Sequence, residues 1–276
     1  MAISVADEAS PEPPMIRTEG LTKRFGDFTA AADITFTVAR GEIFGLIGAN
    51  GAGKSTLVKM LTTLLPPSAG TATVAGFDIV RQAAEVRRHI GYVPQLLSAD
   101  GSLTGYENML LSARLYATPR RERELRIREA LEALGLSDAA DRLVQHYSGG
   151  MIRRLEIAQS MLHRPALLFM DEPTVGLDPL ARDAVWEHTR DLRQTHGMTL
   201  LITTHYLDEA DQLCDRIAIM RQGRIAAIGT PAALKATVGP TATLDDVLSR
   251  LNATQTEVEG GYSDARRERL TALKHG

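Results

Sequence analysis

The run GANGAGKST at 48–56 sets Gly48 and Gly53 either side of four spacer residues, with Lys54, Ser55 and Thr56 directly behind. Glycines at this spacing let a loop bend so that successive backbone N–H groups, here those of Asn50, Gly51, Ala52 and Gly53, point at phosphate oxygens. A helix opening near Gly53 would add its positive end. Lys54 is then placed for β- and γ-phosphates, the Ser55 hydroxyl for Mg²⁺, and Thr56 for the α-phosphate. A second group of residues follows an apolar run: ALLFM at 166–170 leads into Asp171-Glu172-Pro173. Alone, that pair reads equally well as two strand-ending acids in a turn. Downstream of a phosphate loop it reads as Asp171 holding the metal shell and Glu172 polarising a water.

Both groups need a buried parallel sheet whose strands end at one edge. Ile43 to Ile47 is a compact apolar run that stops at Gly48, as a buried parallel strand would, and a helix is expected from about Gly53 to Leu65, stopped by Pro66-Pro67. Short strands are expected between Met15 and Phe44, including ITFTV at 34–38, and again near 71–74. A short helix at 83–88 precedes a strand at 90–93. From about 96 to 160 the pattern turns helical, with helices at 106–116, at 120–134 and from Ile152 to Leu162, and Gly135 as a cap. The charged run at 120–129 reads as a solvated helix face. Strand and helix then alternate: strands at 166–170 and 198–203, helices at 180–195 and 206–213, strands at 216–220 and 224–228. This rhythm predicts an α/β fold with a mostly parallel sheet, interrupted by a helical insert.

Residues 1–14 read as a flexible arm, 15–240 as the main domain and 241–276 as a C-terminal extension. Lys plus Arg number 31 against 34 Asp plus Glu, a net charge of -3, so no nucleic acid is expected as partner. The single cysteine, Cys214, excludes an internal disulfide and a CxxC metal site. The opening stretch has no secretory pattern, and no run reaches the ~20 apolar residues of a membrane span.

YSGGM at 147–151, standing just before the acidic strand, makes the pattern specific. Over about residues 15–235 the chain resembles the ATP-binding subunits of ABC transporters. Their LSGGQ signature is matched with Tyr147 for Leu and Met151 for Gln, around an intact Ser-Gly-Gly centre. The resemblance implies a P-loop NTPase (RecA-like) core with an antiparallel β subdomain and an inserted α-helical subdomain. It implies that Ser148, Gly149 and Gly150 bind the γ-phosphate of ATP held by a second copy or a paralogue. Gln95 in GYVPQ matches the Q-loop, which contacts Mg²⁺ or the attacking water. Asp178 in GLD matches the D-loop at the dimer seam, and His205 in TTHYLDEAD the γ-phosphate switch. Phe25 in LTKRFG stands where the family often stacks a tyrosine on adenine, though a core phenylalanine is the other reading. LTKRFGDFTA, YSGGMIRRLEIA, THYLDEAD and TLDDVL resemble the bacterial drug-resistance and polysaccharide-export branch, in which ATPase and permease are separate chains. The expectation is an ATPase using ATP and Mg²⁺, at the cytoplasmic face of the membrane, working with a multi-span permease. Ribosomal relatives usually carry two cassettes per chain and DNA-repair relatives a long coiled coil, and neither feature is present. A P-loop kinase gives no reason for SGG, Gln95 and His205 in this order.

Overall fold

The central strands are apolar along their whole length, and the fold uses both of their faces. In the computed structural model, which describes residues 3–4 and 12–251, β4 (Ile43–Ile47), β8 (Leu167–Asp171) and β9 (Thr199–Thr204) are buried at every position. Successive side chains of a strand point to opposite faces. Ile43 and Ile47 therefore join one core with Leu168, Met170, Leu200 and Ile202. Phe44 and Leu46 join the other with Leu167, Phe169 and Leu201. The first core is covered by α5 (Gly149–Met161), α6 (Pro179–His196) and α7 (Leu207–Leu213). The second is covered by α1 (Lys54–Leu61) and by a small antiparallel sheet.

The main sheet has strand order β1-β11-β10-β4-β9-β8-β7, with β1 Ile3–Ser4, β7 Ile90–Val93, β10 Arg216–Arg221 and β11 Arg224–Gly229. Its β10, β4, β9, β8 and β7 run parallel, and β11 turns back against β10. The antiparallel sheet orders β2 (Ile16–Phe25), β3 (Phe28–Val38), β5 (Ala69–Val74) and β6 (Phe77–Asp78) as β3-β2-β5-β6. The expected α/β core with an antiparallel β part and a helical part is therefore what forms. Helix α2 (Ala83–His89) leads into β7, and between β7 and β8 lie α3 (Gly105–Leu115), α4 (Arg120–Ala133) and α5. Thr104 and Glu107 start α3 with reciprocal side-chain-to-backbone bonds.

Two expectations about elements need correction. Helix α1 ends at Leu61 and not at the prolines: Thr63 turns left-handed (φ 63°), and the N–H groups of Thr63 and Leu64 return to Met60 O and Lys59 O at 3.1 and 2.9 Å. That closing motif ends a helix without glycine or proline. Strand β3 starts at Phe28, six residues before ITFTV, because it pairs with β2 along its length. Ile3–Ser4 adds a parallel edge to β11, while the rest of residues 1–11 lies outside the described residues. At the other end residues 244–251 are helical, with Leu244 and Val247 buried, and the extension from 252 onward lies outside the described residues.

Candidate functional site

Strand β4 delivers the chain to the sheet edge at Gly48, and the loop from there feeds α1. At Gly48 and Gly53 the backbone passes so close to its neighbours that a side chain has no room. A Cβ on Gly48 would sit 2.3 Å from Met220 O, and one on Gly53, whose φ is 102°, would sit 2.3 Å from Ala30 O. Lys54 begins α1 and is 5 % exposed. Its Nζ donates to Gly48 O at 2.7 Å and to Ala49 O at 3.3 Å. The loop, Lys54, Ser55, Thr56, Gln95 and Glu172 line a cleft of about 350 Å³.

The acidic pair ends β8, one strand away from β9. Asp171 Oδ1 accepts from Thr203 Oγ1 at 2.6 Å and from Ser55 Oγ at 3.3 Å. Burial first, and the Asp171 charge second, push the Tyr92 phenol up to about 12. Glu172 leaves the strand with φ 48°, a left-handed backbone that a glutamate adopts only under constraint. The constraint is visible: its N–H donates to both Thr203 O (3.1 Å) and Thr203 Oγ1 (2.9 Å). That turn sends the carboxylate into the cleft, 6 % exposed, where side chains from the start of α1 and from the segments after β7 and β9 meet it. Lys54 Nζ lies 3.2 Å from Oε1, and Gln95 Nε2 donates to Oε2 at 3.3 Å. His205 Nδ1 also lies 3.3 Å from Oε2, but makes no hydrogen bond there or elsewhere.

Chemically, this is an anion-binding loop facing a carboxylate that can take a proton from water. Ser55 and Asp171 are hard oxygen donors side by side. That fits Mg²⁺, which takes one or two protein oxygens and completes its shell with phosphate and water. Among the described residues no group of three or more His, Cys, Asp or Glu is arranged to hold a metal ion.

The other candidates lie apart from the cleft. Ser148 caps α5, its hydroxyl accepting from Met151 N–H at 3.3 Å, and Ser148 and Gly149 are exposed at that helix start. Gly150 is fixed by crowding, since a Cβ there would meet Ala181 Cβ at 2.6 Å. Asp178 is exposed and caps α6 through Ala181 N–H at 3.0 Å. None of the four lines the cleft formed by the chain's own loop. Phe25 is exposed opposite Phe28 in the β2–β3 pairing, and it is Phe28 that lines the cleft.

Sequence reading passed over several residues that hold this site. Phe28 offered a signal, an aromatic three residues from Phe25 across a Gly-Asp turn. Thr203 offered none, because its role depends on pairing with a strand more than thirty residues away. Glu209 is buried on α7 and accepts from Thr174 Oγ1 (2.9 Å) and Thr204 Oγ1 (3.0 Å). It ties the segment after Glu172 to the residue before His205. Burial raises its pKa, against the Thr174, Thr204 and Arg182 contacts that lower it.

A protein-family model described as "ABC transporter" matches residues 31–175. The chain is similar to the daunorubicin/doxorubicin resistance ATP-binding protein DrrA of Streptomyces peucetius, 46% identical over 261 residues, covering 95% of this chain and 76% of that one. It is also similar to the linearmycin resistance ATP-binding protein LnrL of Bacillus subtilis (strain 168), 40% identical over 238 residues, covering 86% of this chain and 76% of that one. Among solved structures, an ATP-binding subunit of an ABC transporter superposes with a TM-score of 0.76 at 32% identity, covering 86% of this chain and 99% of that one.

Proposed function

Because the chain belongs to the ABC transporter family, as one of its ATP-binding subunits, we propose that it hydrolyses ATP at Glu172 and thereby drives a separate membrane permease that exports a drug-like, lipid or polysaccharide substrate. The observation that carries this reading is the meeting of Lys54, Gln95 and His205 on the Glu172 carboxylate.

The loop N–H groups and Lys54 hold the β- and γ-phosphates, and Phe28, with Phe25 beside it, offers an aromatic face to adenine. Ser55 and Asp171 hold Mg²⁺, and bound magnesium supplies neutralisation of charge on the phosphates. With the γ-phosphate between them, Lys54 leaves Glu172 for the phosphate oxygens. Glu172 then accepts a proton from the water that attacks the γ-phosphorus, with Gln95 orienting that water, while the bond from phosphorus to the β–γ bridging oxygen breaks and ADP leaves with that oxygen. His205, its Nδ1 unengaged, is placed to touch the γ-phosphate. Donors already aimed at the developing charge need no reorganisation during the reaction.

Ser148, Gly149, Gly150 and Asp178 complete the site of a second copy. Ser148, Gly149 and Asp178 are exposed at helix starts, Gly150 is packed behind them against Ala181, and all four stand outside the chain's own cleft, so the start of α5 is open to another chain's phosphate. Two copies arranged head to tail hold two ATP molecules. Among the described residues no helix is long and apolar enough to cross a membrane. In this reading, membrane attachment at the cytoplasmic face falls to the permease. Exposed Leu96 and Leu97 beside Gln95, and Leu111 and Leu115 on α3, are apolar surface suited to docking it. The resistance proteins to which the chain is similar support the export direction.

Glu172→Gln tests the chemistry. It keeps the shape and the Gln95 contact but removes the proton acceptor. ATP binding should persist while turnover falls by at least about a hundredfold. Undiminished hydrolysis in that variant would remove Glu172 from the role.

A further inference from the structure

One helical turn inside α5, beyond the Ser-Gly-Gly start, stand two charged residues that the hydrolysis chemistry does not use. Arg153 and Glu156 are each 2 % exposed and 3.0 Å apart. Arg153 reaches out of its helix to the segment around Gln95: Nη1 donates to Pro94 O at 2.6 Å and Nη2 to Gln95 O at 2.8 Å. Glu156 grips the same segment further along. Its Oε1 accepts from Ser98 Oγ at 3.0 Å and also from Ser98 N–H. Residues 94–98 are thus pinned at both ends, while Leu96 and Leu97 between the pins are exposed and the Gln95 side chain reaches Glu172. Burial pulls the Arg153 guanidinium below its ordinary value, opposed by the carboxylates of Glu156 and Asp171.

We propose that Arg153 and Glu156 are positioning residues that clamp the Gln95 segment onto α5, so that the Ser-Gly-Gly helix start and Gln95 move as one body. This rests on the ATPase reading above. A backbone segment outside regular structure is otherwise free to open locally. Carbonyls held by a forked guanidinium fix its register in a way that one ammonium cannot. The consequence is directional. A shift of α5, whether imposed by a second copy at Ser148 or by a partner at Leu96 and Leu97, carries Gln95 toward or away from Glu172.

The purely structural alternative is a buried ion pair with no task, which apolar residues of similar volume replace without loss. The test uses the full-length chain as wild type, Arg153→Lys, the double variant Arg153→Met with Glu156→Leu, Gln95→Ala, and the double variant combined with Gln95→Ala. Each is followed by peptide-resolved amide hydrogen exchange and by ATP kinetics. In the double variant, peptides covering 94–98 should exchange about tenfold faster or more while those of α5 stay protected. Its kcat should fall about tenfold with KM changed less than about twofold, and adding Gln95→Ala should cost no more than about twofold further, since both act on one group. Arg153→Lys, which keeps the charge, should show the same pattern at smaller amplitude, and it serves if the double variant does not fold. Unchanged exchange over 94–98, or a loss of kcat that multiplies with that of Gln95→Ala, overturns the clamp. A wild-type chain without ATP turnover, in which the variants still free residues 94–98, instead overturns the ATPase reading and leaves the clamp standing.

Discussion

Replacing Thr203 with valine should cost the domain about 2 kcal/mol, and the structure says where that figure comes from. Thr203 is fully buried on β9, opposite Asp171 in register. Its hydroxyl donates to Asp171 Oδ1 at 2.6 Å and accepts the Glu172 N–H at 2.9 Å. Valine has nearly the same shape, so no cavity forms and the packing contribution is close to zero. What is lost is one hydrogen bond to a charged, buried carboxylate, about 1.5–3 kcal/mol. The Glu172 N–H keeps Thr203 O at 3.1 Å and is not orphaned, so its share is small. Serine makes the opposite change: it keeps the hydroxyl and removes a buried methyl, at about 1 kcal/mol. Urea unfolding followed by circular dichroism measures both as shifts in midpoint at constant slope. If Thr203→Val proves no more costly than Thr203→Ser, the hydroxyl does not anchor the two acids, and the account of how Glu172 is turned into the cleft fails with it.

Gly53→Ala places a side chain at φ 102° and within 2.3 Å of Ala30 O; strain of about 1–3 kcal/mol at the loop should weaken nucleotide binding by about 5- to 150-fold, read by fluorescence of a labelled ATP. Glu209 has a raised folded pKa, caused first by burial, so the native state holds its proton more tightly than the unfolded chain. Its contribution to stability is therefore full below the unfolded value, near 4.5, and is lost as pH rises through the raised folded value. Glu209→Gln should remove that loss, so that wild type declines relative to the variant between acid and neutral pH in paired melting curves; a constant difference across that range would contradict the assignment. Mixing Lys54→Ala chains with Ser148→Arg chains, each inactive alone, should restore part of the ATPase activity, because one hybrid site then has both intact halves; no recovery at any ratio would argue against a shared site.

How much of this was legible in the sequence depended on whether a residue's task is set by its neighbours in the chain. Lys54 and Ser55 follow from the loop they sit in, and Asp171 and Glu172 from the apolar strand before them. Gln95 and His205 could be picked out only by resemblance, since a glutamine or histidine after a short strand says little alone. The central strands were readable because burial on both faces leaves an unbroken apolar run. Helix α1 was overextended because Thr63 takes a left-handed turn that threonine rarely adopts, and no residue pattern announces it. Phe28 was passed over in favour of Phe25 because which of the two faces the cleft is decided by the β2–β3 hairpin. Thr203, Glu209, Arg153 and Glu156 escaped notice for one shared reason: each acts across a distance in sequence that only the folded sheet and helices close.

The most direct test of a site shared between two chains is the mass of the Glu172→Gln protein with and without magnesium and ATP, measured by sedimentation. The protein should sediment as a single chain without nucleotide and as a pair of chains retaining two ATP molecules with it, a pairing that Ser148→Arg in the same background abolishes. A protein that fills its loop with ATP and stays a single chain, or one whose pairing is indifferent to Ser148→Arg, would contradict it.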